Sequence, residues 1–181
     1  SWNRVGIVSN GYLVIGGGTD ADVNALNDSF PNTAAPNNIL APFWTNLNPE
    51  AGGAIRIATL TDGTNNWIVV DWAEVPNFNT AAGLQYNSFE AWLRTGSVED
   101  ITFTYGVVTG GNSGLLTVGA EDITGTVGTN YYFNGAGILP LEGTELRVTS
   151  SGPPVSDVPE PATMLLLGLG LMGLAGVRRK F

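Results

Sequence analysis

Residues 67–75 read WIVVDWAEV and residues 88–94 read SFEAWLR, and the period of two in both stretches decides the fold. In the first, Ile68, Val70 and Trp72 fall on one face and Val69, Asp71 and Ala73 on the other, because successive side chains of a strand point to opposite sides. The Trp72 side is the expected core side. In the second, Phe89, Ala91 and Leu93 point inward, which sends Glu90, Trp92 and Arg94 outward. The next stretch, ITFTY at 101–105, alternates Ile101, Phe103 and Tyr105 with two threonines and repeats the pattern.

Working outward, further strands are expected at 5–8, 12–15, 54–59, 115–120, 131–133 and 145–148, separated by Gly, Asn, Asp and Pro. No stretch before Pro159 holds a helical period over three turns. Strands spaced by turns in this way predict an all-β fold, an antiparallel β-sandwich, over residues 1–149. The composition agrees: 25 of the 181 residues are Gly and only 13% are charged, about half the usual share. Residues 150–158, SSGPPVSDV, form a Ser/Pro linker without the means to bury surface.

Charge and missing residue types narrow the function. Residues 1–152 carry fourteen acidic side chains against four arginines (Arg4, Arg56, Arg94, Arg147), whereas residues 153–181 carry two acids and three bases. An acidic body without lysine repels a phosphate backbone, so no nucleic-acid partner is expected. The chain holds no His and no Cys. A Ser-His-Asp triad, a His-based zinc site, disulfides and thiol catalysis are therefore excluded. No leader of basic and apolar regions stands at Ser1, so export would require that a leader has been removed or that the sequence is a fragment.

The character changes abruptly after the linker. VPEPATMLLLGLGLMGLAGVRRKF, residues 158–181, joins Pro159, Glu160 and Pro161 to an apolar run at 162–177 and a basic end of Arg178, Arg179 and Lys180. Sixteen helical residues span roughly 24 Å, short of a hydrocarbon core of about 30 Å, a gap that snorkelling bases and bilayer thinning can close. The positive-inside rule keeps the basic end cytoplasmic and puts the large domain across the inner membrane. A plain anchor would have these parts too, but the two prolines fix an extended backbone just before the helix, which suits presentation to a processing enzyme. With its three elements in this order, the tail resembles the PEP-CTERM sorting signal. That resemblance implies recognition and removal by an exosortase-type transpeptidase, with only transient residence of the helix in the inner membrane.

In the body, NGYLVIGGG (10–18), APFWTNLNP (41–49), IVVDWAEVPNF (68–78), NSFEAWLRTG (87–96), ITFTYG (101–106) and VGAEDITGT (118–126) follow one another as in a nidogen-like β-domain. The resemblance implies an antiparallel sandwich with no catalytic set to carry over. It also implies strand material before the NGYL-like segment, where only nine residues stand. Truncation or a strand supplied from elsewhere is the expectation.

Few side chains suggest chemistry. Asp20, Asp22, Asn24 and Asp28 form an oxygen-rich cluster suited to Ca²⁺ as a cofactor, although Ala25 and Pro31 stand where an EF-hand needs Gly and Glu. A solvated acidic loop explains the same residues. Asp71, Glu74 and Glu121 lie within or beside strands and read as outward polar positions rather than a glycosidase pair. VIGGGTD at 14–20 lacks the helix and Lys of a phosphate loop and reads as a turn. Phe43 and Trp44, after Pro42, read as core aromatics closing a sheet edge. Trp92, between Glu90 and Arg94, either stacks on a sugar or protein partner or packs under the 77–86 loop.

These readings converge on a non-catalytic exported surface or extracellular-matrix protein, structural or adhesive, with exopolysaccharide or its own copies as partners. The alternatives are a carbohydrate-binding or calcium-dependent module and an accessory domain of a secreted hydrolase.

Overall fold

The computed structural model describes residues 2–79, 85–98 and 100–149; the linker and sorting tail read from the sequence lie outside them. Contacts divide the chain into a unit Ser1–Thr149 and a unit Ser150–Phe181. The first unit holds both apolar core clusters and is a self-contained body.

Eleven described strands build two antiparallel sheets. β1 (Val5–Val8), β2 (Tyr12–Ile15), β3 (Ile39–Trp44), β8 (Thr117–Glu121), β9 (Gly128–Phe133) and β10 (Ala136–Gly137) form the first in that spatial order. The second runs β11 (Glu145–Val148), β7 (Ile101–Tyr105), β6 (Tyr86–Thr95), β5 (Asn66–Pro76), β4 (Ala54–Thr61). The predicted sandwich is what forms, and the only described helical element is a single 3₁₀ turn at Asp20–Asp22.

The inner faces meet as the alternation requires. Val70, Trp72, Phe89, Ala91 and Phe103 from the second sheet pack with Leu13, Leu40, Phe43 and Val118 from the first. Trp72 stacks on Phe89 with ring centroids 5.0 Å apart. Its indole nitrogen is buried without a hydrogen-bond partner, a desolvation cost on the order of 1–3 kcal/mol that the ring's burial outweighs.

The first sheet is covered on its other face as well. Val8, Tyr12, Val14, Ile39, Ala41 and Trp44 gather there with Phe30 from the long β2–β3 connection. This double burial is why every residue of β3 is buried, and it corrects the reading of Phe43 and Trp44 as closing a sheet edge: β3 lies in the middle, between β2 and β8. Pro42 falls in the irregular stretch of β3, where the β3–β8 register shifts between Ala41 and Trp44, and on the β2 side it is Phe43 N–H that donates to Gly11 O at 3.1 Å. The Pro42 carbonyl accepts the Tyr105 hydroxyl at 2.9 Å.

Candidate functional site

With one sheet wrapped on both sides, the outer face of β4–β7 and β11 is the broad surface left uncovered by described chain. Register fixes what lies on it. One row runs Arg56, Asp71, Glu90, Thr104, Glu145; the next runs Ala58, Val69, Trp92, Thr102, Arg147; a third joins Leu60, Trp67 and Arg94. Two indoles, two facing carboxylates and two threonine hydroxyls therefore share one surface.

Trp92 lies on the outer face, as alternation placed it, but it is half-buried. Its Nε1–H donates to Glu90 Oε2 at 2.7 Å, and the Thr104 hydroxyl donates to the same oxygen at 2.9 Å. Glu90 thereby fixes the indole. Val69, which faces away from the inter-sheet core, is only 5% exposed. It is the cross-strand partner of Trp92, so a large ring beside a small side chain supplies that burial. Arg94 donates through Nη2 to the Asn65 side-chain oxygen.

Asp71 stands directly across from Glu90 and 3.5 Å from Arg56. Partial burial raises its carboxyl above the usual range and the Glu90 charge adds to the effect, while Arg56 opposes them. Beyond this pair the β5 ladder breaks between Trp72 and Val75, where Glu74 takes a φ of 53° and donates its N–H to Ser88 Oγ at 3.0 Å. An open pocket of about 490 Å³ lies there, lined by Glu74, Tyr86, Ser88, Gly106 and Val107.

The acidic segment of the β2–β3 connection has a different occupation. Asp22 Oδ2 accepts the Gly18 and Thr19 backbone N–H groups at 2.7 and 2.8 Å and the Thr19 hydroxyl at 3.1 Å. The Thr19 N–H foremost, then that of Gly18, holds its carboxyl below the usual range. Backbone groups of the segment latch it onto the first sheet: the Tyr12 hydroxyl donates to Asp22 O at 2.6 Å, Trp44 Nε1 to Asn24 O at 3.2 Å and the Thr117 hydroxyl to Asp28 O at 2.6 Å. Among the described residues no three acidic side chains are grouped to hold a metal ion, so Asp20, Asp22 and Asp28 do not converge. The segment covers the second core. VIGGGTD is the turn it was expected to be, with Gly17 N–H donating to Val14 O at 3.1 Å.

Glu121 corrects the outward reading, for it is only 7% exposed. The β2–β3 connection lies over it, and the Asn32 N–H donates to its Oε2 at 2.9 Å. Burial pushes its carboxyl from 4.5 up to about 7; the Asn32 bond opposes this, and the charges of Asp122 and Asp28 add to it. The native state then binds a proton more tightly than the unfolded chain. Stability from this group is present in full below about pH 4.5 and is lost as pH rises through about 7. Glu121→Gln keeps the acceptor and cannot ionise. It should raise stability at pH 8 by on the order of 2 kcal/mol relative to the parent and change it little near pH 4.5. Urea unfolding at the two pH values checks this, and parallel pH profiles for parent and variant would refute it.

A first sheet wrapped on both faces thus backs a second sheet whose outer face carries rows of polar and aromatic side chains. The NIDO-related family matches residues 1–150, and the chain belongs to it. The PEP-CTERM protein-sorting motif matches residues 157–180. No curated protein and no solved structure is detectably similar to the chain. The sorting motif implies processing by an exosortase-type enzyme and export across the inner membrane to the cell surface or extracellular space. Both matched families are non-catalytic in kind. Among the described residues no helix is long and apolar enough to cross a membrane, and the apolar run at 162–177 lies outside them.

Proposed function

We propose that this is a non-catalytic component of the bacterial surface or extracellular matrix that holds matrix polysaccharide against the outer face of its five-stranded sheet. The observation that carries this reading is the Trp92–Glu90–Thr104 arrangement on a face that no described residue covers, while the other sheet is wrapped on both sides. An indole fixed by its nitrogen offers a rigid ring for a sugar face. Neighbouring carboxylates and hydroxyls accept and donate bonds to sugar hydroxyls. The acidic body favours neutral or basic glycans over polyanionic ones. Asp71 and Glu90 sit on an open sheet without walls to enclose a scissile bond, which supports binding over hydrolysis.

Trp92→Ser in the mature protein should weaken binding to polysaccharide from the host matrix about tenfold or more, in the range of an anchoring aromatic. Because the indole also covers Val69, the same change should cost about 1–2 kcal/mol of stability. Trp92→Phe should retain most of the binding. Isothermal titration with the purified polysaccharide decides the matter, and affinity unaltered by Trp92→Ser would refute the reading.

A further inference from the structure

The second sheet ends in a strand that lacks the usual protections. β4 is eight residues long, whereas the terminal strands β1, β10 and β11 have four, two and four. Among the described residues no strand pairs with its second side. Its sequence, AIRIATLT, has no Pro and no Lys, and its one charge, Arg56, already pairs with Asp71 at 3.5 Å. Ile57 and Leu60 are 63% and 43% exposed. Natural edge strands are normally short, charged, bulged or covered.

Hydrogen-bond parity shows which backbone groups are free. Asp62 N–H donates to Asn65 O at 3.3 Å across the hairpin tip, so in the antiparallel ladder residues 60, 58, 56 and 54 turn their N–H and C=O toward β5. The same alternation carried across β5 and β6 requires Ser88 and Arg94 to bond toward β7. They do, Ser88 N–H to Val107 O at 2.8 Å and Arg94 N–H to Asp100 O at 2.9 Å. The outward groups on β4 therefore belong to Ile55, Ile57, Thr59 and Thr61.

We propose that this edge pairs with the same edge of a second copy of the chain, antiparallel, about a two-fold axis at Ala58. That centre sets Ile55 against Thr61 and Ile57 against Thr59 in both directions, so every outward residue is used and about eight hydrogen bonds form. It sets Arg56 opposite Leu60, so no like charges meet. It also brings Ala58, the smallest side chain in the middle of the strand, to the closest crossing, where facing Cα atoms are about 4.5 Å apart. A foreign strand would need its own matching pattern, whereas this edge matches itself. The surface involved is small and both bodies are acidic, so the association is weak in dilute solution and grows with salt and with the crowding of copies on a surface.

The absence of Cys allows a direct test in residues 1–149, which carry their own core. Under mild oxidation Ala58→Cys should form a disulfide-linked dimer at least tenfold faster than Leu60→Cys, whose own copy lies about 13 Å along the partner strand. Mixing Arg56→Cys with Leu60→Cys should give the heterodimer. Ile57→Pro removes an outward N–H and no β5 bond, so added to Ala58→Cys it should abolish the cross-link while leaving the circular dichroism spectrum intact. Equal rates at positions 58 and 60, or a cross-link indifferent to the proline, would overturn the pairing. The glycan reading would stand in either case.

Discussion

Replacing Gly11 with alanine is expected to cost more than about 4 kcal/mol of unfolding free energy, a third or more of what a domain of this size commonly has. Gly11 closes the β1–β2 hairpin with a φ of 81°, a conformation in which a side chain costs about 1–2 kcal/mol on its own. The larger part comes from where the hairpin tip sits. Phe43 N–H donates to Gly11 O at 3.1 Å and Thr45 N–H to Asn10 O at 3.0 Å, while Asn10 Oδ1 accepts Leu47 N–H at 3.1 Å. A Cβ on Gly11 would lie 2.0 Å from the Phe43 carbonyl oxygen and 3.1 Å from Phe89 Cζ, and a backbone oxygen can yield only if β3 itself shifts. Gly63 provides the control, since its φ is 90° and nothing stands within 4 Å of its Cβ. Gly63→Ala should therefore cost only the conformational 1–2 kcal/mol. Chemical denaturation of both variants measures the difference, and equal losses would show that the hairpin tip adapts.

The same crowding explains what was legible in the sequence. In β5 and β6 one face is buried and the other is not, so apolar and polar residues alternate and the faces of Trp72, Phe89 and Ala91 could be read directly. β3 is buried on both faces, so its ILAPFW carries no alternation, and Pro42 argues against a central strand unless the register shift beside it is known. Phe43 and Trp44 were legible as core but not as the middle of a sheet. Glu121 shows the same blind spot from the polar side. Its place in the alternation points it away from the inter-sheet core, as expected. What covers it is Asn32, 89 residues away in sequence, and no local pattern announces a loop folded over a sheet face. In the acidic segment the hydrogen bonds were not legible either: three backbone carbonyls, of Asp22, Asn24 and Asp28, and the Asp22 carboxylate hold the loop down, and neither the calcium reading nor the solvated-loop reading named those contacts. Trp92 was placed on the correct face. Its tether to Glu90 follows from two residues on one strand face, a pairing the spacing allowed but did not require.

Changing Glu160 to alanine is expected to leave the full-length chain in the inner membrane, whereas the parent reaches the surface without its tail. The parts of the matched sorting motif divide the work between them. The apolar run from 162 to 177 contains sixteen residues without a charge and ends in Arg178, Arg179 and Lys180. Such a segment halts translocation, and its basic end resists crossing against the positive-inside bias. Neither property depends on Glu160, so the variant should still be exported as far as the membrane and stop there. Pro159 and Pro161 each fix φ near −65° and hold the preceding residue extended. Glu160, confined between them, is the one side chain in the triplet that offers a charge to a processing enzyme. Its removal should therefore block release without altering insertion, and the β-domain, whose contacts fall within the unit Ser1–Thr149, should fold normally while still tethered. Cell fractionation with intact-mass measurement reads both steps. Surface protein from the parent should end near the Pro159–Pro161 triplet, and the variant should retain Phe181 and sediment with inner membrane. Phe181 on protein recovered from the parent's surface would instead make the tail a plain anchor, and a Glu160→Ala chain trimmed like the parent would remove the carboxylate from recognition.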